Sequence, residues 1–145
     1  DAAVAALPEM EQDLMPVKFR SLLQIDEAAG FAYLRTLLEN GNIEKNPYNG
    51  FNAALILSQQ AATLKNPDYA LVVAALEKAK AGEHDHPTVL SLYAEMLSHV
   101  GKMEKAVEMQ QKAIEKGEPL VGQRFPQTWL DAQKARLEEY KAKNK

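Results

Sequence analysis

The sequence predicts an all-α domain built from antiparallel helix pairs, on three observations. Glycine and proline recur at intervals that leave segments of helical length between them. Those segments are rich in Ala, Leu, Glu, Lys and Gln and poor in β-branched residues, which favours helices over strands. The connections are short, and helices joined by short connections pack antiparallel. We expect about seven helices in one domain that spans residues 1–145.

Composition excludes several classes of function. The chain is 46% hydrophobic and 26% charged, which is typical of a globular domain with a core. A net charge of −3 gives no indication of a nucleic-acid partner. Because cysteine is absent, thiol redox chemistry, zinc–thiolate binding and disulfides are excluded within these residues. No apolar run approaches the roughly 18 residues of a membrane span, so no membrane insertion is expected. The chain lacks an initial Met, and we expect a mature form or a piece of a longer protein.

An irregular helix pair is predicted over residues 8–40. The first helix covers about 8–24 and bends or restarts at Pro16, since a proline ring clashes with the preceding turn. Asp26 is expected to cap the second helix, and Gly41 follows its end. The residues on its inner face are Phe31, Leu34 and Leu38.

A second pair is predicted over residues 49–82. Asn49 is expected to cap its first helix, and Asn66-Pro67-Asp68 is a strong start signal for its second, with proline at the first helical position. The second helix is expected to end at Gly82. The predicted inward stripe of the first helix consists of Leu55, Ala61 and Leu64.

The clearest repeat lies at residues 86–117. The pair is expected to begin at Asp85-His86-Pro87, with Asp85 as the cap, and to turn at Gly101. Small side chains at Ala94 and Ala106 allow two helix backbones to approach closely. The inner-face positions of this pair are Leu90, Tyr93, Ala94 and Leu97 on its first helix, and Ala106 and Ala113 on its second.

This pair resembles the tetratricopeptide consensus, whose period is about 34 residues. The pair at 49–82 is a degenerate copy, since Leu57, Ala61 and Leu64 precede Leu90, Ala94 and Leu97 by 33 positions. We therefore predict a right-handed superhelical stack of the tetratricopeptide kind. A capping helix over 126–142 is expected to close it, with Trp129 covering the end of the stack. The capping helix begins at Pro126 and carries Trp129, Ala132, Leu137 and Tyr140 at helical spacing.

No catalytic constellation is evident, so neither an enzyme nor a cofactor is expected. The run Glu83-His84-Asp85-His86 has metal-ligand chemistry, but it precedes a helix and its nearest further histidine is His99. Solvated loop residues are the favoured interpretation. The serines lie within predicted helices and lack a Gly-x-Ser-x-Gly elbow.

A binding groove is the remaining candidate site. In a tetratricopeptide stack the first helix of each pair lines the concave side. A partner protein or peptide could bind there, although a solvated face is the competing interpretation. Glu95 would repel a peptide's terminal carboxylate. The positions that line this side are Thr88, Ser91, Glu95, Ser98 and His99.

Residues 14–116 also resemble the helical region that follows a TlpA-like thioredoxin domain in some bacterial extracytoplasmic proteins. The motifs that carry the resemblance are Ile25-Asp26-Glu27-Ala28-Ala29, Phe31-Ala32-Tyr33, Asn46-Pro47-Tyr48-Asn49, Leu55, Asn66-Pro67-Asp68-Tyr69-Ala70-Leu71, Val89-Leu90-Ser91-Leu92-Tyr93-Ala94, Gly101-Lys102-Met103-Glu104-Lys105-Ala106 and Gln111-Lys112-Ala113. No Cys-x-x-Cys lies in this chain, so no redox residue carries over.

The resemblance implies a non-catalytic accessory domain, tethered to a thiol–disulfide protein outside the cytoplasm, that positions partners or self-associates. The alternative is a free-standing adaptor that binds a peptide or helix of another protein.

Overall fold

Eight α-helices account for most of residues 14–145, the part of the chain that the computed structural model describes, and no strand forms in that part. The α-helices are α1 (Met15–Ile25), α2 (Glu27–Glu39), α3 (Asn42–Lys45), α4 (Pro47–Gln60), α5 (Tyr69–Lys78), α6 (Pro87–His99), α7 (Met103–Gly117) and α8 (Gln127–Lys143). Short 3₁₀ turns follow α4, α5 and α7. None of the described helices is both long and apolar enough to cross a bilayer.

The helices pack as neighbouring pairs. Helix α1 packs on α2, α4 on α5, and α6 on α7. Helices α1, α4 and α6 also contact one another in that order, so that α4 lies between the other two in a row. Helix α8 packs on α7. The predicted all-α architecture is confirmed.

Apolar side chains between these pairs form one core. Phe19 of α1 is fully buried and meets the Phe31 ring edge-on, with centroids 6.2 Å apart. Between α6 and α7 the contact is made by small residues: Ala94, Ala106 and Ala113 have no exposed surface. Close backbone approach is possible there because methyl groups occupy little space between helices.

Short α3 was not predicted, and it raises the helix count from about seven to eight in the described residues. Gly41 begins it in the left-handed conformation, with φ of +79°. The Asn40 Oδ1 atom accepts a hydrogen bond from the Asn42 N–H at 2.9 Å. A helix of four residues is too short to show a hydrophobic period in the sequence.

Three predicted helix starts need correction. Helix α4 begins after Asn46, while the expected cap Asn49 is buried in the helix and donates from Nδ2 to Asn42 Oδ1 at 2.7 Å. Helix α5 begins at Tyr69 with Asp68 as its cap, so Pro67 lies before it and not at its first position. Helix α6 is capped by His86 and not by Asp85.

Other predicted boundaries shift by a few residues. The Asp26 cap of α2 is confirmed, with Oδ1 accepting from the Ala29 N–H at 3.2 Å. Pro16 lies in the first turn of α1; residues 8–13 of the predicted first helix lie outside the described residues. Helix α5 ends at Lys78, four residues before Gly82.

One predicted inward position is wrong. Leu55 is 38% exposed, because α4 buries most of its circumference between α1, α5 and α6 and Leu55 lies on the side left open. Ala61 and Leu64 follow the end of α4 and are partly buried against the core. On α8, Ala132 is exposed, and Leu130 and Gln133 take the buried positions beside Tyr140.

Candidate functional site

The five predicted groove residues all lie on α6, but they differ in exposure. His99 is exposed, while Thr88, Glu95 and Ser98 are half-buried. Ser91 is buried, with 5% of its surface exposed. Ser91 therefore does not line an open surface, and the other four do so only in part.

Ser91 belongs to a buried polar cluster that joins α6, α7 and α8. Its Oγ donates to Gln133 Oε1 at 2.7 Å. Gln110 of α7 donates from Nε2 to the same oxygen and to the backbone oxygen of Gln133, each at 2.9 Å. Gln110 has no exposed surface and Gln133 has 6%. Since an unpaired buried polar group is costly, the cluster specifies how α8 docks.

Further along α6, two side chains of α8 contact predicted groove residues. Arg136 lies 3.6 Å from the Glu95 carboxylate, which offsets the acidity predicted for this face. Tyr140 is hydrogen-bonded to Ser98, and burial raises the pKa of the Tyr140 hydroxyl. Helix α8 thus contacts three of the five predicted positions.

His99 of α6 contacts helix α5. Its ring stacks on Tyr69 of α5, with centroids 4.0 Å apart and planes 10° apart. The pKa of Tyr69 is raised by its burial and, less strongly, by the charge of Glu95. The open part of the face is therefore flanked by an aromatic stack and an ion pair.

Helices α4 and α1 of the same row also carry exposed residues, which sequence reasoning missed. Leu55 and Gln59 lie one turn apart on the open side of α4. Gln59 Oε1 accepts a hydrogen bond from Arg20 Nη2 of α1 at 3.3 Å, which links the open sides of the two helices. Val17 of α1 is 60% exposed. No sequence signal identified this surface, because Leu55 and Val17 have the residue types of a core.

We use the name row surface for exposed and half-buried residues on the row of helices α1, α4 and α6. It consists of Val17, Arg20, Leu55, Gln59, Thr88, Leu92, Glu95 and His99.

In the Glu83-His84-Asp85-His86 loop, three side chains already make hydrogen bonds or an ion pair with nearby residues. His84 Nδ1 accepts from the His86 N–H at 3.0 Å, and His86 Nδ1 accepts from the Thr88 N–H at 3.2 Å. Asp85 is paired with Lys116 at 3.3 Å. Within residues 14–145 no three His, Asp or Glu side chains are grouped so as to hold a metal ion.

Compared with family models, with curated proteins and with solved structures, the chain matches none. The tetratricopeptide and thioredoxin-linked resemblances therefore stay predictions.

Proposed function

We propose that this chain is a non-catalytic scaffold in which tetratricopeptide-like helix pairs present the row surface to a protein partner. The order of contacts supports a stack: α1, α4 and α6 follow one another, and each packs on the helix that comes next as its pair. In that arrangement α8 caps the last pair.

Exposed apolar side chains carry the proposal. In the described part of the chain, every large hydrophobic residue with high exposure lies on α1 or α4 or directly before α1. Exposed apolar surface shared by adjacent helices is typical of an interaction site, because burying it against a partner is favourable. Two of these residues, Val17 and Leu55, belong to the row surface, and Leu14, Ile25 and Tyr48 lie outside it.

The partner is a domain of the same polypeptide or a separate protein. The resemblance to helical regions that follow TlpA-like thioredoxin domains favours the first: an accessory domain of an extracytoplasmic bacterial thiol–disulfide protein. The alternative is a free-standing adaptor that binds a peptide or helix. Neither role requires a cofactor, a nucleic acid or membrane insertion.

Site-specific cross-linking in the native host tests both roles. A photo-reactive residue is introduced at Val17, and the matched control carries it at Ala132, which is exposed on α8. We expect a protein adduct at Val17 and none at Ala132. Equal labelling at both positions, or none at either, contradicts the proposed site.

Peptide mapping of the native polypeptide and of the adduct then separates the two roles. A Cys-x-x-Cys segment in the same polypeptide supports the accessory domain. A distinct protein cross-linked to a chain without such a segment supports the adaptor.

A further inference from the structure

We propose that a row of aromatic rings at the starts of α4, α6 and α8 binds a proline-rich segment in the polyproline II conformation. This site is separate from the row surface and stands on different observations. Successive ring centroids in the row are 5.8, 5.0, 6.5, 6.3 and 4.3 Å apart. In order, the rings of this aromatic row are Tyr48, Phe51, His84, His86, Phe125 and Trp129.

The row opens into a cleft at its Tyr48 end. The cleft has a volume of about 310 Å³ and is lined by Pro47, Tyr48, Phe51, Ala79, Lys80, Glu83 and His84. Tyr48 is 67% exposed, while Phe51 beside it is buried. The Tyr48 ring meets the buried Phe51 ring edge-on at 85°, so the exposed Tyr48 ring can contact a ligand without requiring the core to move.

Hydrogen-bond donors accompany the rings. The Nδ1 atoms of His84 and His86 both accept a backbone N–H, so each neutral imidazole carries its proton on Nε2. Trp129 contributes an indole N–H. Within residues 14–145 none of these three N–H groups has a hydrogen-bond acceptor. The row therefore combines apolar ring surface with three N–H donors.

A proline-rich chain has the complementary chemistry. Proline has no backbone N–H, and the polyproline II helix has no internal hydrogen bonds, so its carbonyl oxygens are free to accept. Its apolar rings pack on aromatic side chains, as in other domains that recognise such segments.

The charges around the row disfavour an anionic ligand such as a single-stranded nucleic acid. Lys80 and Glu83 line the cleft together, and Asp85 is paired with Lys116. A nucleic-acid site needs a continuous positive surface beside its stacking rings. An uncharged peptide fits this mixed environment better.

The test is titration with decaproline, followed by the fluorescence of Trp129, the single tryptophan, and by NMR of its indole N–H. We expect saturable binding that moves both signals. A ten-residue Gly-Ser peptide is the matched ligand control and is expected to give no saturable change.

Variants locate the site. Tyr48→Ala is expected to weaken decaproline binding about five-fold or more, the effect of one lost aromatic contact, whereas Tyr48→Phe keeps the ring and stays within about two-fold. Ala32→Ser, at an exposed position of α2 outside the row, is expected to leave binding unchanged. Circular dichroism checks that each variant is folded, which the exposure of both positions favours.

Three outcomes overturn the proposal. These are no saturable binding of decaproline, equal binding of the Gly-Ser peptide, and equal affinities for the Tyr48→Ala variant and the unaltered chain. Cross-linking at Val17 does not depend on any of them, so this site can fail while the proposed scaffold stands.

Discussion

The two ends of the helix row differ in whether another helix covers them. At the C-terminal end, α8 covers α6 and α7 through a buried polar cluster, an ion pair and a tyrosine hydrogen bond. At the N-terminal end, α1 and α4 expose Val17, Ile25 and Leu55. A polar cluster accepts one docking geometry, because every buried donor needs its acceptor. An apolar surface tolerates many geometries, which suits a partner site.

The loops between helices are also stabilised differently in the two halves of the chain. In the N-terminal half, the Glu27 carboxylate accepts the backbone N–H groups of Lys65 and Asn66 at 2.8 and 2.7 Å and so fixes the long loop before α5. In the C-terminal half, α6 turns directly into α7 through Gly101, with φ of +80°. Glycine adopts a positive φ readily, so the backbone of one residue forms this turn.

The largest predicted effect follows from removing the core of the N-terminal pair. Phe19→Ala deletes a fully buried ring that packs on Phe31, and we expect a loss of about 3–5 kcal/mol in the free energy of unfolding. Urea denaturation followed by circular dichroism measures it. The exposed position Leu55→Ala is the matched control, expected to change stability by less than about 0.5 kcal/mol.

Amide hydrogen exchange on the same variant tests whether the halves are separable. In a stack, each pair depends mainly on its neighbours, so protection is expected to fall most in α1 and α2 and least in α7 and α8. An equal loss of protection in all helices would show a single cooperative unit and would contradict the comparison.

The next effect concerns the packing of α8. A Cβ atom at Gly117 would overlap the Trp129 indole, so Gly117→Val is expected to displace α8 and to destabilise the chain by about 3 kcal/mol. The double variant Gly117→Val/Trp129→Ala is the control. If the overlap is the cause, the second substitution recovers part of the loss; strictly additive losses would argue against it.

Sequence reasoning succeeded where local chemistry decides the structure. The predicted turn at Gly101 has the positive φ that favours glycine, and the small residues Ala94, Ala106 and Ala113 have no exposed surface. These signals lie within a single helix pair. They require no knowledge of the neighbouring pairs.

Sequence reasoning failed where a third helix decides the structure. Leu55 was assigned to the core by its residue type, but the position of α4 between α1 and α6 leaves that side open. Ser91 was assigned to a groove because it lies on the first helix of its pair, but Gln133 of α8, 42 residues away, buries it. Partners so distant leave no periodic pattern in the sequence.

A smaller effect is predicted for the polar cluster itself. Gln133→Met keeps the length of the side chain but leaves the Ser91 hydroxyl without its acceptor and the Gln110 amide with only the backbone oxygen of residue 133, and we expect a loss of about 2 kcal/mol. The double variant Gln133→Met/Ser91→Ala removes one stranded donor and is expected to be more stable than Gln133→Met alone. If the two variants unfold at the same urea concentration, the hydroxyl contributes nothing to docking.

The smallest effect is a change in pH dependence, which compares one tyrosine from each half. Burial raises the pKa of Tyr140, and burial together with Glu95 raises that of Tyr69. A raised pKa means that the folded state holds the proton more tightly than the unfolded chain does. The stability from each group is therefore complete below the ordinary tyrosine pKa of about 10 and is lost as the pH rises through the folded-state value.

We therefore expect the urea midpoint of the unaltered chain to fall between pH 9 and pH 11, and Tyr140→Phe to make this fall shallower. Tyr69→Phe is the matched variant and should flatten it less, because Tyr69 is half-buried whereas Tyr140 is 5% exposed. Part of the decline remains in both variants, since a hydrogen bond to Tyr93 raises the pKa of Lys105. If Tyr69→Phe flattens the profile more than Tyr140→Phe, then α8 does not bury its tyrosine against α6 in solution, and the contrast between the two ends of the row fails.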